Sequence, residues 1–333
     1  MRALLAHDPY NPRKTQDLLV SLGIFAAVAL IPLFVEMQYW IGVITVSMYY
    51  ALAAMGWNLL AGYTGQYSIA PAAFAMLGAY GSALSGKYLG FPPVLGIMVG
   101  VVVTGILGIA LGRAAFKLRG AYLALTTIAF GEIARHVMRN SYDITRGNLG
   151  MSVPPLFGGM SDVSYFYLFL SLCILVQIGL WALIHSRVGL FLQAIREDEV
   201  AALGRGVSVI WWKSIAFGIS TAICGLAGGV YVHFLQLAQP KMGMIIESGL
   251  IIMAAVFGGM GTLVGPFIGG LIVKPLAEFA RGFNAQHMLI LGFLGILIMR
   301  FFRDGLYGFV LLVAGKLRRR WTGTPRSREE AAE

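Results

Sequence analysis

Ten apolar stretches, repeated along a chain of 333 residues, constrain this sequence more than any other feature. They fall at roughly 18–35, 41–60, 67–85, 93–112, 121–138, 165–184, 213–235, 247–260, 265–281 and 287–302. Most approach the ~20 residues that an α-helix needs to cross the hydrocarbon core of a bilayer. Inside lipid every backbone N–H and C=O must find its partner within the protein, so stretches of this length become helices. Only 12% of the residues are charged, against about 25% in soluble domains, which excludes a soluble fold. The expectation is an all-α polytopic transmembrane helix bundle of eight to ten spans. The range comes from the eighth and ninth stretches, which are short and glycine-broken and form either two crossings or one re-entrant pair.

Lysine and arginine orient the bundle. With the N-terminus in the cytoplasm, eighteen of the twenty-five basic residues fall on the cytoplasmic side, among them Arg13, Arg119, Arg187, Arg196, Arg205 and Lys213. Lys87, Arg139, Arg146, Lys241 and Arg281 fall outside, while Arg135 and Lys274 lie near or within spans. This asymmetry predicts an N-in, C-in arrangement. It also makes the formal charge of +10 a topology signal rather than a footprint for nucleic acid. The organisation expected is a cytoplasmic segment at 1–17, a transmembrane region at 18–303 with a cytoplasmic loop at 185–212, and an interfacial and disordered basic tail at 304–333. Mixed polar residues precede the first apolar run and no clean small-residue cleavage site follows it, so that run is expected to be a retained span rather than a secretory signal.

Glycine is abundant, at 43 residues, and recurs with small-xxx-small spacing. Gly96 and Gly100, Gly108 and Gly112, Gly225 and Gly229, and Gly261, Gly265 and Gly269 each let backbones approach closely. Residues 56–78 and 254–273 both place a glycine-rich break ahead of a small-residue helix, a pattern consistent with a degenerate internal repeat of the kind transporters use. Cys173 and Cys224 lie in apolar stretches outside any CxxC pattern and are expected to be buried. The histidines form no ligand cluster and no GxxxxGK[ST] loop is present, so neither a metal, another cofactor nor enzymatic ATP hydrolysis is expected of this chain.

Three segments interrupt the apolar sequence with polar chemistry. In Gly62–Phe74, two glycines, Pro71, Gln66 and Ser68 break what would otherwise be a span. Broken backbone at membrane depth is tolerated where it lines a cavity or is buried in protein. Either Gln66 and Ser68 line a path, or this is an ordinary turn with Ser68 as N-cap and Pro71 in the first turn. In Arg119–Arg135, Glu132 falls about 17 Å into a helix starting near residue 121. An ionisable group at that depth is either a functional site or half of a self-neutralising pair with Arg135 at i+3. Thr126 and Thr127 lie off the Glu132 face and can satisfy backbone carbonyls instead.

The third segment, His185 to Val207, is a charged knob between long apolar stretches. Leu190, Ala194, Ile195, Ala201 and Ala202 permit a short amphipathic helix between Gly189 and Gly204, with Arg196, Glu197, Asp198 and Glu199 as its polar surface and Gly206 beyond it. Such a loop is either a solvated helix or an element that docks into a partner.

The chain resembles the M-type permeases of bacterial branched-chain amino acid ABC importers, a family that also contains urea and amide permeases. Four segments carry the resemblance: Gly62-Tyr63-Thr64-Gly65-Gln66-Tyr67-Ser68 with Ala72-Ala73-Phe74; Arg119-Gly120-Ala121-Tyr122-Leu123-Ala124 through Phe130-Gly131-Glu132; Ser186 through Gly206; and Gly225 to Gly229 with Gly258-Gly259-Met260-Gly261-Thr262 and Gly265-Pro266. The resemblance implies a permease subunit that works with a second permease, two cytoplasmic ATPase subunits and a periplasmic solute-binding protein in the bacterial inner membrane. From the polar interruptions described above, Gln66, Ser68, Pro71, Thr126, Thr127 and Glu132 are expected to belong to the translocation path. The resemblance also implies that Arg196, Glu197, Asp198, Glu199 and Gly206 couple the chain to the ATPases. The family usually has Gly-His where this chain has Ala70-Pro71, and a Pro-Gly pair near Arg303-Asp304-Gly305, so the solute can differ from leucine, isoleucine and valine. An ion-coupled transporter or channel using Glu132, a urea or amide permease, and a scaffold subunit of a membrane enzyme are the alternatives.

Overall fold

The computed structural model describes residues 13–34, 37–115, 118, 120–156, 158 and 161–281, with a few isolated positions between 292 and 308. The helices are α1 (Arg13–Ala29), α2 (Ile31–Phe34), α3 (Gln38–Asn58), α4 (Pro71–Leu89), α5 (Pro93–Ala114), α6 (Ala121–Asn140) and α7 (Tyr142–Thr145). They continue with α8 (Asp162–Ile184), α9 (Arg187–Glu197), α10 (Glu199–Gly204), α11 (Val209–Leu235), α12 (Ile245–Gly258) and α13 (Gly265–Arg281). Nine of the ten apolar stretches coincide with these helices, and the tenth, 287–302, lies outside the described residues. Two short strands, β1 (Met151–Ser152) and β2 (Leu237–Ala238), pair antiparallel with Met151 opposite Ala238.

Span boundaries shift where local chemistry overrides hydropathy. The first helix stops at Ala29 and a separate turn holds Pro32, which lacks the N–H that would continue the ladder. The third span starts at Pro71 rather than residue 67, because 65–70 is non-helical. Ser68 is not the N-cap of α4: Ala70 occupies that position, while Pro71 sits in the first turn as expected.

Lipid, not water, is the solvent that sorts these helices. α5 is the most apolar of the long spans and the least buried, whereas α3, the least apolar, is almost wholly enclosed. That inversion is what a bilayer rewards, since apolar side chains gain nothing by leaving lipid. α3 packs against α8, α11, α12 and α13 as the central post, and α4, α5 and α11 form a second tightly packed group. Small residues build the contacts. Apart from Ile97, the buried stripe of α5 is Gly96, Gly100, Thr104, Gly108 and Gly112. A Cβ added at Gly81 of α4 would stand 2.7 Å from the Gly100 backbone, so the two helices touch through their main chains. The Thr221 hydroxyl donates to the Thr104 carbonyl at 3.0 Å across α11 and α5. Such bonds in membranes average about 0.6 kcal/mol, so close van der Waals packing carries most of this interface. Cys173 and Cys224 are buried free thiols.

The crossing that contains α12 is discontinuous. Its 14 residues span about 21 Å, short of the ~30 Å core. Tyr50 lies twelve residues, about 18 Å, into α3, and its hydroxyl donates to Glu247 in the first turn of α12. α12 therefore begins about halfway down the central post. The chain reaches that depth as β2 followed by a 3-10 turn at Pro240–Gly243, packed against α4 and α6. Irregular backbone at this depth is tolerated because protein surrounds it.

Candidate functional site

Both glycine-rich breaks come together at one end of the bundle. α3 runs into a π-helical turn at Leu59–Tyr63, a distortion often found at functional positions. Asn58, just before that turn, is 3% exposed. Its amide nitrogen donates to the Thr262 carbonyl at 2.8 Å and its amide oxygen accepts from Gly261 N–H at 2.8 Å. A single side chain thus clamps the α12–α13 turn onto the end of α3. The backbones meet closely: a Cβ at Gly62 would lie 2.7 Å from the Gly261 nitrogen, and Gly261 itself has φ +76°. Glycine is required at both positions for steric and conformational reasons.

Arg196 reaches this junction from the charged loop. Its guanidinium donates to the Gly62 carbonyl, and an added Cβ at Gly65 would be 3.4 Å from the Arg196 side chain. Carbonyls in the last turn of a helix lack intrahelical partners and carry the negative end of the helix dipole. A guanidinium answers both deficits at once.

The charged loop itself differs from the expected single amphipathic helix. Asp198 adopts an extended conformation and splits it into α9 and α10. Its carboxylate accepts from Val200 N–H at 2.8 Å and Ala201 N–H at 3.1 Å, so Asp198 is an N-cap. The four consecutive charges do not form one polar surface. Arg196 turns to Gly62, Asp198 caps α10, and Glu199 pairs with Lys213 of α11 at 2.9 Å. Glu197 is exposed. Gly206 has φ +82° in the turn that leads to α11. Of the apolar residues expected to form the inner face, Ile195 and Ala202 are buried, but Leu190, Ala194 and Ala201 are exposed. The inner face of α9 is instead Gly189, Leu192 and Ile195, and after the Asp198 break α10 buries Ala202. Val200 and Leu203 are left 67% and 53% exposed on α10, beside Glu197.

The expected path residues form a neighbouring cluster. Gln66, Ser68, Pro71 and Thr127 are buried. The Thr127 hydroxyl accepts from Ile69 N–H at 3.0 Å and donates to the Ala124 carbonyl at 2.9 Å, docking the 65–70 segment on α6. The Ser68 carbonyl accepts from the Trp57 indole at 2.6 Å. Ser248 of α12 accepts from Ala72 N–H at 3.2 Å at the start of α4. Gln66 Oε1 is fully buried with no hydrogen-bond partner among the described residues, an arrangement that costs about 1–3 kcal/mol. Between these elements lies a cavity of about 10 Å³, lined by Ile69, Ala73, Gly131, Glu132 and Ser248. That is the lower limit for one water molecule, so this cavity holds no amino acid.

Thr126 stands apart from that cluster, with its hydroxyl donating to its own Tyr122 carbonyl at 2.8 Å. Glu132 accepts from Arg135 Nε at 2.9 Å, with His136 3.9 Å away, and so occupies the ion pair open from the sequence. Asn58, Glu247 and Ser248 were not singled out by the sequence reading. Each is a polar residue inside an apolar run, the signal that draws attention to Glu132.

Discontinuous backbone buried at membrane depth, tied to an external loop, defines a polytopic membrane transport subunit. The chain belongs to the family described as branched-chain amino acid transport system / permease component, whose model matches residues 39–300. It is 30% identical over 294 residues to the high-affinity branched-chain amino acid transport system permease protein LivM of Salmonella typhimurium, covering 80% of this chain and 69% of that protein. LivM of Escherichia coli is 30% identical over 299 residues with the same coverage. LivH of Escherichia coli is 25% identical over 252 residues, covering 69% of this chain and 81% of that protein. No solved structure matches. The chain is a permease subunit of an ABC importer and not an enzyme.

Proposed function

We propose that this chain carries branched-chain amino acids, or a related small polar solute, across the bacterial inner membrane together with a second permease. The similarity to both LivM and LivH supports the paired arrangement. A periplasmic binding protein delivers the solute, and of two cytoplasmic ATPase subunits below the permease pair one docks on α9–α10 through Glu197, Val200 and Leu203. The lysine and arginine distribution supports a cytoplasmic position for that end. Movement of the loop is passed to the membrane by its two anchors: Arg196 on the Gly62 carbonyl pulls on α3, and Glu199 on Lys213 pulls on α11. The shut cluster of Gln66, Ser68, Pro71, Thr127 and Glu132 is the segment that such movement opens.

The observation that carries this reading is the bond from Arg196 to the Gly62 carbonyl. A hydrogen bond to a charged group contributes about 1.5–3 kcal/mol, so Arg196→Gln should lower amino acid uptake by at least roughly tenfold. ATP hydrolysis by the assembled importer in proteoliposomes should persist. Uptake and hydrolysis that remain coupled at wild-type ratio would remove the linkage. Uptake that follows a proton gradient without ATP would favour an ion-coupled transporter instead.

A further inference from the structure

Two long helices each leave one face uncovered, and the two faces differ in chemistry. α5 turns Met98, Val102 and Ile106 outward, each more than half exposed and all apolar. Lipid solvates such a face as well as protein does. α6 packs on the bundle through Leu123, Thr127, Gly131 and Ala134 and turns a mixed face outward. Leu125 and Ile133 are exposed there beside charge. The Glu132 side chain is 35% exposed, and His136, 3.9 Å away, is 49% exposed. Arg135 pairs with Glu132, yet the pair is not enclosed. The depth of this group is fixed twice. Glu132 lies eleven residues, about 17 Å, into the 20-residue α6. It also shares a cavity wall with Ile245, the first residue of α12, and α12 begins about halfway down α3. At that same depth α12 starts without a side-chain cap, so its first N–H groups have no acceptor within the helix. Ile245 and Ile246 are exposed beside them.

Hydrocarbon satisfies neither feature. An ionisable group at mid-membrane faces protein or a water-filled cavity, even when it is paired. Backbone left open at that depth is tolerated under the same two conditions. A water-filled cavity on an outer face needs a second wall, so protein lies across α6 and α12 in either case. We infer that the face formed by α6 and the first half of α12 is the seam with the second permease, and that α5 faces lipid. The choice of occupant rests on the reading of the chain as one of two paired permeases. Related chains that close a pair present equivalent faces to each other, so the partner meets α6 and α12 with its own counterparts of them. Its polar side chains, or water held in the seam, donate to Glu132 and accept from the first N–H groups of α12. Gly249 is exposed on the same side of α12, and an added Cβ there meets nothing within 4 Å, which leaves room for a close approach. The small cavity walled by Glu132 and Ile245 abuts this seam.

The test uses the assembled importer in lipid nanodiscs, with an epitope tag on a co-expressed LivH-like permease. Benzoylphenylalanine replaces Ile133 of α6, Ile246 of α12 or Ile106 of α5 in turn, and light joins it to whatever it touches. Ile133 and Ile246 should give a product carrying the tag in at least tenfold higher yield than Ile106, which should give lipid adducts. Gly249→Phe should cut the tagged permease that co-purifies with this chain at least tenfold, while the amount of the chain in the membrane stays at the wild-type level. Four results would each sink the seam and leave the permease reading standing. Ile133 and Ile246 yield only lipid adducts; they join residues 282–333 of the same chain or a second copy of it; Ile106 carries the tag as strongly as they do; or a well-expressed Gly249→Phe keeps its full share of partner. If the wild-type chain brings down no second permease, the paired reading falls and the seam falls with it.

Discussion

The Glu199–Lys213 pair tests whether the charged loop is anchored or merely resting on the bundle. Lys213 is 5% exposed, and its ammonium lies 2.9 Å from a carboxylate whose side chain is 17% exposed. At that separation and an effective dielectric near 20, the attraction is about 6 kcal/mol before desolvation is charged against it. Removing one partner of a buried pair costs about 3–5 kcal/mol, mostly from the unpaired charge left behind. Glu199→Gln keeps a carbonyl in reach of Lys213, so the lower figure of about 3 kcal/mol applies. That corresponds to roughly a 150-fold shift in the local opening equilibrium. The pair sits at one end of the molecule, so the assay must be local. Hydrogen exchange read on the 198–213 peptide in lipid nanodiscs should show amide protection falling by about that factor, while α3 and α5 exchange as before. The double variant Glu199→Gln with Lys213→Met removes both charges and should recover to within about 1 kcal/mol of wild type. Unchanged protection in the single variant, or a double variant as open as the two singles combined, would refute the anchoring argument.

Two other outcomes are expected. Asn58→Ala strips partners from the Gly261 N–H and the Thr262 carbonyl, and should destabilise the detergent-solubilised protein by about 2 kcal/mol; a thermal midpoint equal to wild type would mean the α12–α13 turn is held by packing alone. Glu132→Gln should reduce stability by roughly 1 kcal/mol, because the pair with Arg135 is part-exposed, and should leave the preference among solutes untouched. A change in that preference in normally assembled protein would instead mean that the Glu132 carboxylate meets the solute directly.

Much of this architecture was legible in the sequence, for a physical reason. An apolar run of span length has one way to satisfy its backbone in lipid, so helices appear wherever such runs occur. The glycine stripe of α5 was legible too, because spacing alone places Gly96, Gly100, Gly108 and Gly112 on one face. Hydropathy says less about irregular backbone. The break at 65–70 is visible as a sequence break, but the groups that hold it and the 240–243 turn in place, Thr127 and the faces of α4 and α6, are tertiary partners that hydropathy does not report. The charged loop failed in an instructive way. Asp198 followed by Glu199 is an N-cap signature within an otherwise helical stretch, and the cap divides the four charges between two helices. The partners of Asn58 and Glu247 lie 204 and 197 residues away, a separation no local pattern reports.

In the proposed coupling, the choice of acceptor at the junction bears on how force would be transmitted. Arg196 binds a main-chain carbonyl at the π-helical end of α3, not a side chain that could swing on its own rotamers. Displacing the guanidinium therefore displaces the helix end, or it strips a carbonyl that has no intrahelical partner. α3 is also the most enclosed span and touches α8, α11, α12 and α13, so a pull on its end is felt across the bundle. Asn58 then carries the same displacement to the α12–α13 turn through two 2.8 Å bonds. α12 starts halfway across the membrane, where Ser248 holds the N-terminus of α4 against the shut cavity. A pull that begins at the loop thus reaches the closed segment through bonds to backbone at almost every step, with little slack in which the motion could be lost.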